Sequence, residues 1–98
     1  MTITKTQEND KLTVAIEGRL DTTTAPQLEA ELKSSLDDVK ELVFDIKELE
    51  YISSAGLRVL LSAQKVMNKQ GKMTVIGANK AVMEIFEVTG FVDILNIE

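Results

Sequence analysis

The sequence contains neither cysteine nor histidine. Without cysteine there is no disulfide framework, no zinc–thiolate cluster and no thiol nucleophile. Without histidine there is no imidazole base, no imidazole metal ligand and no serine–histidine triad. Basic residues are also in the minority: 11 Lys and Arg stand against 16 Asp and Glu, a net charge of −5. No cluster of Lys and Arg offsets that balance, which argues against nucleic acid or an anionic membrane as a direct partner. No apolar run approaches the length needed to span a bilayer, and the opening MTITKTQEND lacks the charged-then-apolar profile of a secretory signal. A cytoplasmic protein is expected.

What is present fits one globular domain over residues 1–98, with 44% hydrophobic and 28% charged residues. A chain of this size buries roughly 60–65% of the surface that its unfolded form exposes, enough for one core. Two strands are expected first: one in TITKTQ around Ile3, and one in KLTVAIEG, where Leu12, Val14 and Ile16 alternate. Glu8, Asn9 and Asp10 form a polar break that suits an antiparallel hairpin, and Gly18 is read as the end of the second strand. Thr24-Ala-Pro-Gln27 has the form of a capping box with Pro26 in the first helical turn. Leu28, Leu32 and Leu36 then draw one apolar stripe over residues 25–38, with Glu29 and Lys33 paired on another face.

ELVFDI at 41–46 is a nearly continuous β-prone run, as in a strand covered on both faces. A second helix is predicted over about residues 54–70, where Leu57, Val59, Leu60, Leu61, Ala63, Val66 and Met67 take more than half of the circumference. Gly71 is its expected stop. KMTVIGA at 72–78 is the next strand, Asn79 can cap a third helix bearing Val82, Ile85 and Phe86, and Gly90 ends that helix. The order β-β-α-β-α-β-α predicts an α/β fold with an N-terminal hairpin and a mixed, largely parallel sheet. Strand order does not follow from this pattern, and the tail FVDILNIE is too short to classify.

The turn YISSAGLRVLL at 51–61 carries the chemistry. Ser53 or Ser54 is first of all a helix N-cap, whose oxygen accepts from an amide without a helical partner. A nucleophile elbow needs G-x-S-x-G and a histidine partner; Ile52 stands at the first glycine position and there is no histidine. A phosphate-binding loop needs several glycines and a Lys-Ser/Thr pair, which one glycine and Arg58 do not supply. Covalent modification stays open, because a helix N-terminus accommodates an added anion without disrupting the fold. Ser34, Ser35 and Ser62 lack that terminal position. Asp21, in GRLDTTTAP, is a turn or capping acid, or else an acid that orients the serine or helps to place a partner's metal-bound phosphate.

The blocks GRLDTTTAPQLE, LVFDIKELEYISSAGLRVLL and GKMTVIGANKAVMEIFEVTG, taken in order over essentially the whole chain, resemble the STAS domain and within it the free-standing bacterial anti-sigma factor antagonists. That resemblance implies a binding partner and kinase substrate, not an enzyme, with no cofactor of its own. The unphosphorylated form is expected to bind an anti-sigma factor that is also a serine kinase, freeing a sigma factor. The kinase, holding Mg-ATP, phosphorylates one serine at the start of the second helix, and a serine phosphatase resets the system. Aligning on Gly56-Leu57 places that serine at Ser54 and puts Asp21 on the acid of the G-x-L-D block. Many antagonists carry an acid just before the modified serine; Ser53 stands there here and is the secondary candidate, while Ala55 replaces a small hydroxyl residue. The partner surface is expected to comprise Asp21, Thr22, Thr23, Ser53, Ser54, Ala55, Gly56 and Arg58. The rival expectation is a STAS adaptor in a signalling or membrane-transport complex without a sigma factor.

Overall fold

The computed structural model describes all of residues 1–98. Strands β1 (Thr2–Glu8), β2 (Lys11–Leu20), β3 (Glu41–Ile52) and β4 (Lys72–Ile76) alternate, after the opening hairpin, with helices α1 (Ala25–Lys33), α2 (Ser54–Gln70) and α3 (Lys80–Thr89). The sheet order is β1-β2-β3-β4, with β1–β2 antiparallel and the other two pairs parallel. The expected element order and mixed sheet are therefore present. Each crossover steps to the adjacent strand in the same direction, and two right-handed crossovers of that kind place both helices on one face.

Burial follows from this arrangement. Leu12, Val14 and Ile16 of β2, Leu42, Phe44 and Ile46 of β3, and Met73 and Val75 of β4 share one core cluster with Leu28, Leu60, Met67, Val82 and Phe86 of the three helices. On the opposite face the register lines up Thr6, Thr13, Val43 and Thr74 in one row and Thr4, Ala15, Asp45 and Ile76 in the next. The expectation that ELVFDI is covered on both faces is thus corrected. Val43 and Thr74 are buried but lie outside the core cluster, and Asp45 reaches the surface to pair with Lys47 at 3.6 Å. The run is apolar because the middle of a sheet shields even its outer face.

Several strand ends also differ from expectation: β1 runs on through Glu8 of the expected break, and β4 stops at Ile76, short of Ala78. β3 continues six residues beyond Ile46, through KELEYI. Opposite β2 it carries two extra residues, one between the pairs Ala15↔Asp45 and Glu17↔Glu48 and one between Gly18↔Leu49 and Arg19↔Tyr51. Each β-bulge adds a residue without a partner, so the buried positions step by three, from Ile46 to Leu49 to Ile52. Gly18 lies inside β2, not at its end, and takes φ +102° beside the second bulge, a conformation that favours glycine.

The helices follow their signals with three adjustments. α1 stops at Lys33, short of residue 38, although Leu36 remains buried in the turn that follows. Val66 of α2 is 40% exposed, so the apolar arc of that helix is narrower than expected. Gly71 ends α2 in extended backbone, φ 178°, without the left-handed conformation of a glycine stop; a Cβ there would lie 1.9 Å from the Lys40 carbonyl oxygen. Asn79 caps α3 by accepting from Val82 N at 2.8 Å, and Gly90 closes it at φ +80°. In the tail, Ile97 forms a single parallel bridge to Val75 and Leu95 is buried. No helix is long and apolar enough to cross a membrane.

Candidate functional site

Because β2 and β3 are parallel and Leu20 pairs with Ile52, the chain leaves both strands at the same end of the sheet. The link is direct: Ser53 N donates to the Leu20 carbonyl at 2.9 Å. Asp21, Thr22 and Thr23 are thereby brought beside Ser53, Ser54, Ala55 and Gly56, with Arg58 one helical turn further on.

The two serines take different roles. Ser53 is the N-cap, in extended backbone (φ −98°, ψ 176°), half-buried, its Oγ accepting from Gly56 N at 3.5 Å. Its carbonyl accepts from Leu57 N at 2.9 Å and so begins the α2 ladder. Ser54 is the first residue of α2 and is exposed. With capping performed by its neighbour, its hydroxyl is uncommitted at the positive end of the helix dipole. Gly56 is buried beneath them. A Cβ on it would stand 2.7 Å from Leu20 Cγ and 2.9 Å from Ile52 Cγ1, so glycine is what lets the first turn of α2 rest on the strand ends. Its contribution is to the height of the turn above the sheet.

The turn before α1 is built differently from the capping box expected there. Thr24 occupies the N-cap position in helical backbone and makes no side-chain cap bond. Its hydroxyl instead accepts from Asp21 N at 2.9 Å and donates to the Arg19 carbonyl at 2.9 Å. The capping acceptor is Asp21, whose Oδ1 receives the Thr23 hydroxyl at 2.7 Å, Thr23 N at 3.0 Å and Thr24 N at 3.2 Å. The Thr23 hydroxyl, aided by the Thr23 and Thr24 amides against partial desolvation, holds the Asp21 carboxyl below its ordinary pKa. Its other oxygen lies 4.0 Å from Arg19 Nε. Asp21 is therefore occupied in holding its own turn.

Thr22, Ala25, Pro26 and Glu29 face Ala55, Arg58, Val59 and Ser62 across a shallow groove of about 250 Å³ between α1 and α2. At the other edge of the turn, Arg19 stacks its guanidinium 4.6 Å from the ring centroid of Tyr51, which is 38% exposed. Neither residue stands out in the sequence, because their contact rests on the Arg19↔Tyr51 register across the bulged strand. No group of three or more His, Cys, Asp or Glu side chains converges to hold a metal ion. What the arrangement offers chemically is a displayed hydroxyl on a rigid support, bordered by two arginines and an exposed tyrosine.

Comparison with known proteins agrees with this architecture. The STAS domain family matches residues 2–98. BtrV of Bordetella bronchiseptica, provisionally named an anti-sigma factor antagonist, is 36% identical over 99% of this chain and 85% of its own length. The anti-sigma-B factor antagonist of Bacillus subtilis is 31% identical over 95% of this chain and 85% of its own. Among solved structures, an anti-sigma factor antagonist from Mycobacterium paratuberculosis superposes with a TM-score of 0.89 at 24% identity, covering 98% of this chain and 83% of that one.

Proposed function

Because the chain belongs to the STAS domain family, we propose that it is an anti-sigma factor antagonist switched by phosphorylation of Ser54. In its unmodified form it binds an anti-sigma factor that is also a serine kinase, and the sigma factor is released. The kinase then transfers the γ-phosphoryl group of its Mg-ATP to the chain. A bond forms between Ser54 Oγ and phosphorus as the β–γ P–O bond breaks, the hydroxyl proton passes to a base of the kinase, and ADP departs. A serine phosphatase restores the hydroxyl. The partner surface consists of the serine turn, Asp21 to Thr23, and Arg58.

The observation that carries this reading is the division of labour between the serines: Ser53 caps, and Ser54 is exposed and uncommitted. A phosphate there adds about −1.5 to −2 charges at the centre of the docking surface while leaving the core in place. A penalty of roughly 3 kcal/mol on docking lowers affinity about a hundredfold, enough for a switch. The test is to incubate the purified chain with the candidate kinase and Mg-ATP, then to map the modified peptide by mass spectrometry. Ser54→Ala is expected to bind the kinase constitutively and Ser54→Asp weakly. Equal affinities for the two variants refute the switch, and stable binding to a scaffold or transporter with no response to ATP points to the adaptor reading.

A further inference from the structure

The chain has only two arginines, and both stand beside the serine turn. Arg19 is engaged with Asp21 and Tyr51. Arg58 is not: it is exposed and takes part in none of the five ion pairs of the structure. Its helix reads SAGLRVLLSAQKVMNKQ, with three cations and no acid, in a chain whose net charge is −5. Glu29, the acid across the groove, is already paired with Lys33 at 3.6 Å. The guanidinium of Arg58 is therefore without a counterion.

Position says what it can reach. Arg58 follows Ser54 by four residues, so the two side chains neighbour each other on the same helical face. Side chains on a helix lean toward its N-terminus, which carries the Arg58 fork over the turn that bears Ser54. A planar guanidinium matches two phosphate oxygens, where a lysine offers a point charge.

We propose that Arg58 is the intramolecular counterion of a phosphate on Ser54, folding onto it once the serine is modified. The proposal rests on the reading of Ser54 as the phosphorylated residue. Modification then changes the surface twice: it installs an anion and takes a free cation out of reach. A partner whose acidic group had met Arg58 finds neither the hydroxyl nor the guanidinium available.

The test requires no partner protein. Phosphoserine is installed at position 54 by semisynthesis in the otherwise unaltered chain, in Arg58→Gln and in Arg58→Lys, and the phosphate is titrated by ³¹P NMR. Pairing lowers the midpoint of the second ionisation, about pH 6 in free phosphoserine, by roughly 0.2–0.4 unit. Arg58→Gln is expected to abolish that drop and Arg58→Lys to keep part of it, while the Arg58 Nε–H resonance shifts only when the phosphate is present. Asp21 with Arg19, and Glu29 with Lys33, are common to all three proteins, so their influence cancels. Equal midpoints for the arginine and glutamine forms overturn the proposal. Loss of the binding switch with the Arg58 effect intact would instead fault the function proposed above, so the two failures can be told apart.

Discussion

Two strand-to-helix turns lie side by side at one end of this sheet, and they spend their polar groups in opposite ways. In the turn after β2, the Asp21 carboxylate and the Thr23 and Thr24 hydroxyls bond to one another and to nearby backbone. In the turn after β3, one hydroxyl caps the helix through a long 3.5 Å bond and the next makes no commitment. The first turn is saturated and the second is poised. A polar residue near a helix start is thus not a site by virtue of its type; what matters is whether its neighbours have already used it.

That contrast can be broken most severely from below. Gly56→Val drives a branched side chain into Leu20 and Ile52 and is expected to cost about 3 kcal/mol, measured by denaturant unfolding, because α2 must lift off the strand ends. A smaller effect is expected at the saturated turn. The folded-state pKa of Asp21 is depressed below its ordinary 3.8, so its contribution is fully present above that value and is lost as the pH falls through the depressed one. Stability measured down an acid series should therefore show a steeper decline for the native chain than for Asp21→Asn, which lacks the titrating group. The smallest effects sharpen the difference between the serines. Ser53→Ala should lose about 0.5–1 kcal/mol with its cap, the low end reflecting the long bond, whereas Ser54→Ala should change thermal stability by less than about 0.5 kcal/mol. A larger loss at Ser54 than at Ser53 would reverse the roles assigned to them.

How far the sequence discloses this molecule depends on whether a signal is local. The alternation of Leu12, Val14 and Ile16, the cap at Asn79 and the stop at Gly90 each depend on neighbours a few residues away, and the structure has them where the pattern points. The second half of β3 was hidden because its bulges convert a period of two into steps of three, and because Lys47, Glu48 and Glu50 surround Leu49 with charge. The capping box failed for a related reason. Thr24 and Gln27 have the required spacing, but the Thr24 hydroxyl is spent on Asp21 N and the Arg19 carbonyl, Gln27 N goes to the Thr24 carbonyl, and Asp21 takes Thr24 N. Gly71 is a boundary for a reason that no local rule contains, the approach of Lys40 from another element. At the candidate site, the serine turn and Asp21 are visible as residue types, but which serine caps is decided by geometry, and the Arg19–Tyr51 stack exists only once the strands are in register.

The two surplus residues of β3 also bear on how the serine turn is oriented. Since Ala15 pairs with Asp45 on one side of the first irregularity and Glu17 with Glu48 on the other, taking Lys47 out of the chain would leave those partners facing each other as before. The surplus is therefore not needed to bring the strand to its far end. A bulge bends its strand and increases the local twist, so the surplus turns the tip of β3, from which α2 and the exposed Ser54 follow. Direction, more than reach, is what the irregular half of this strand supplies.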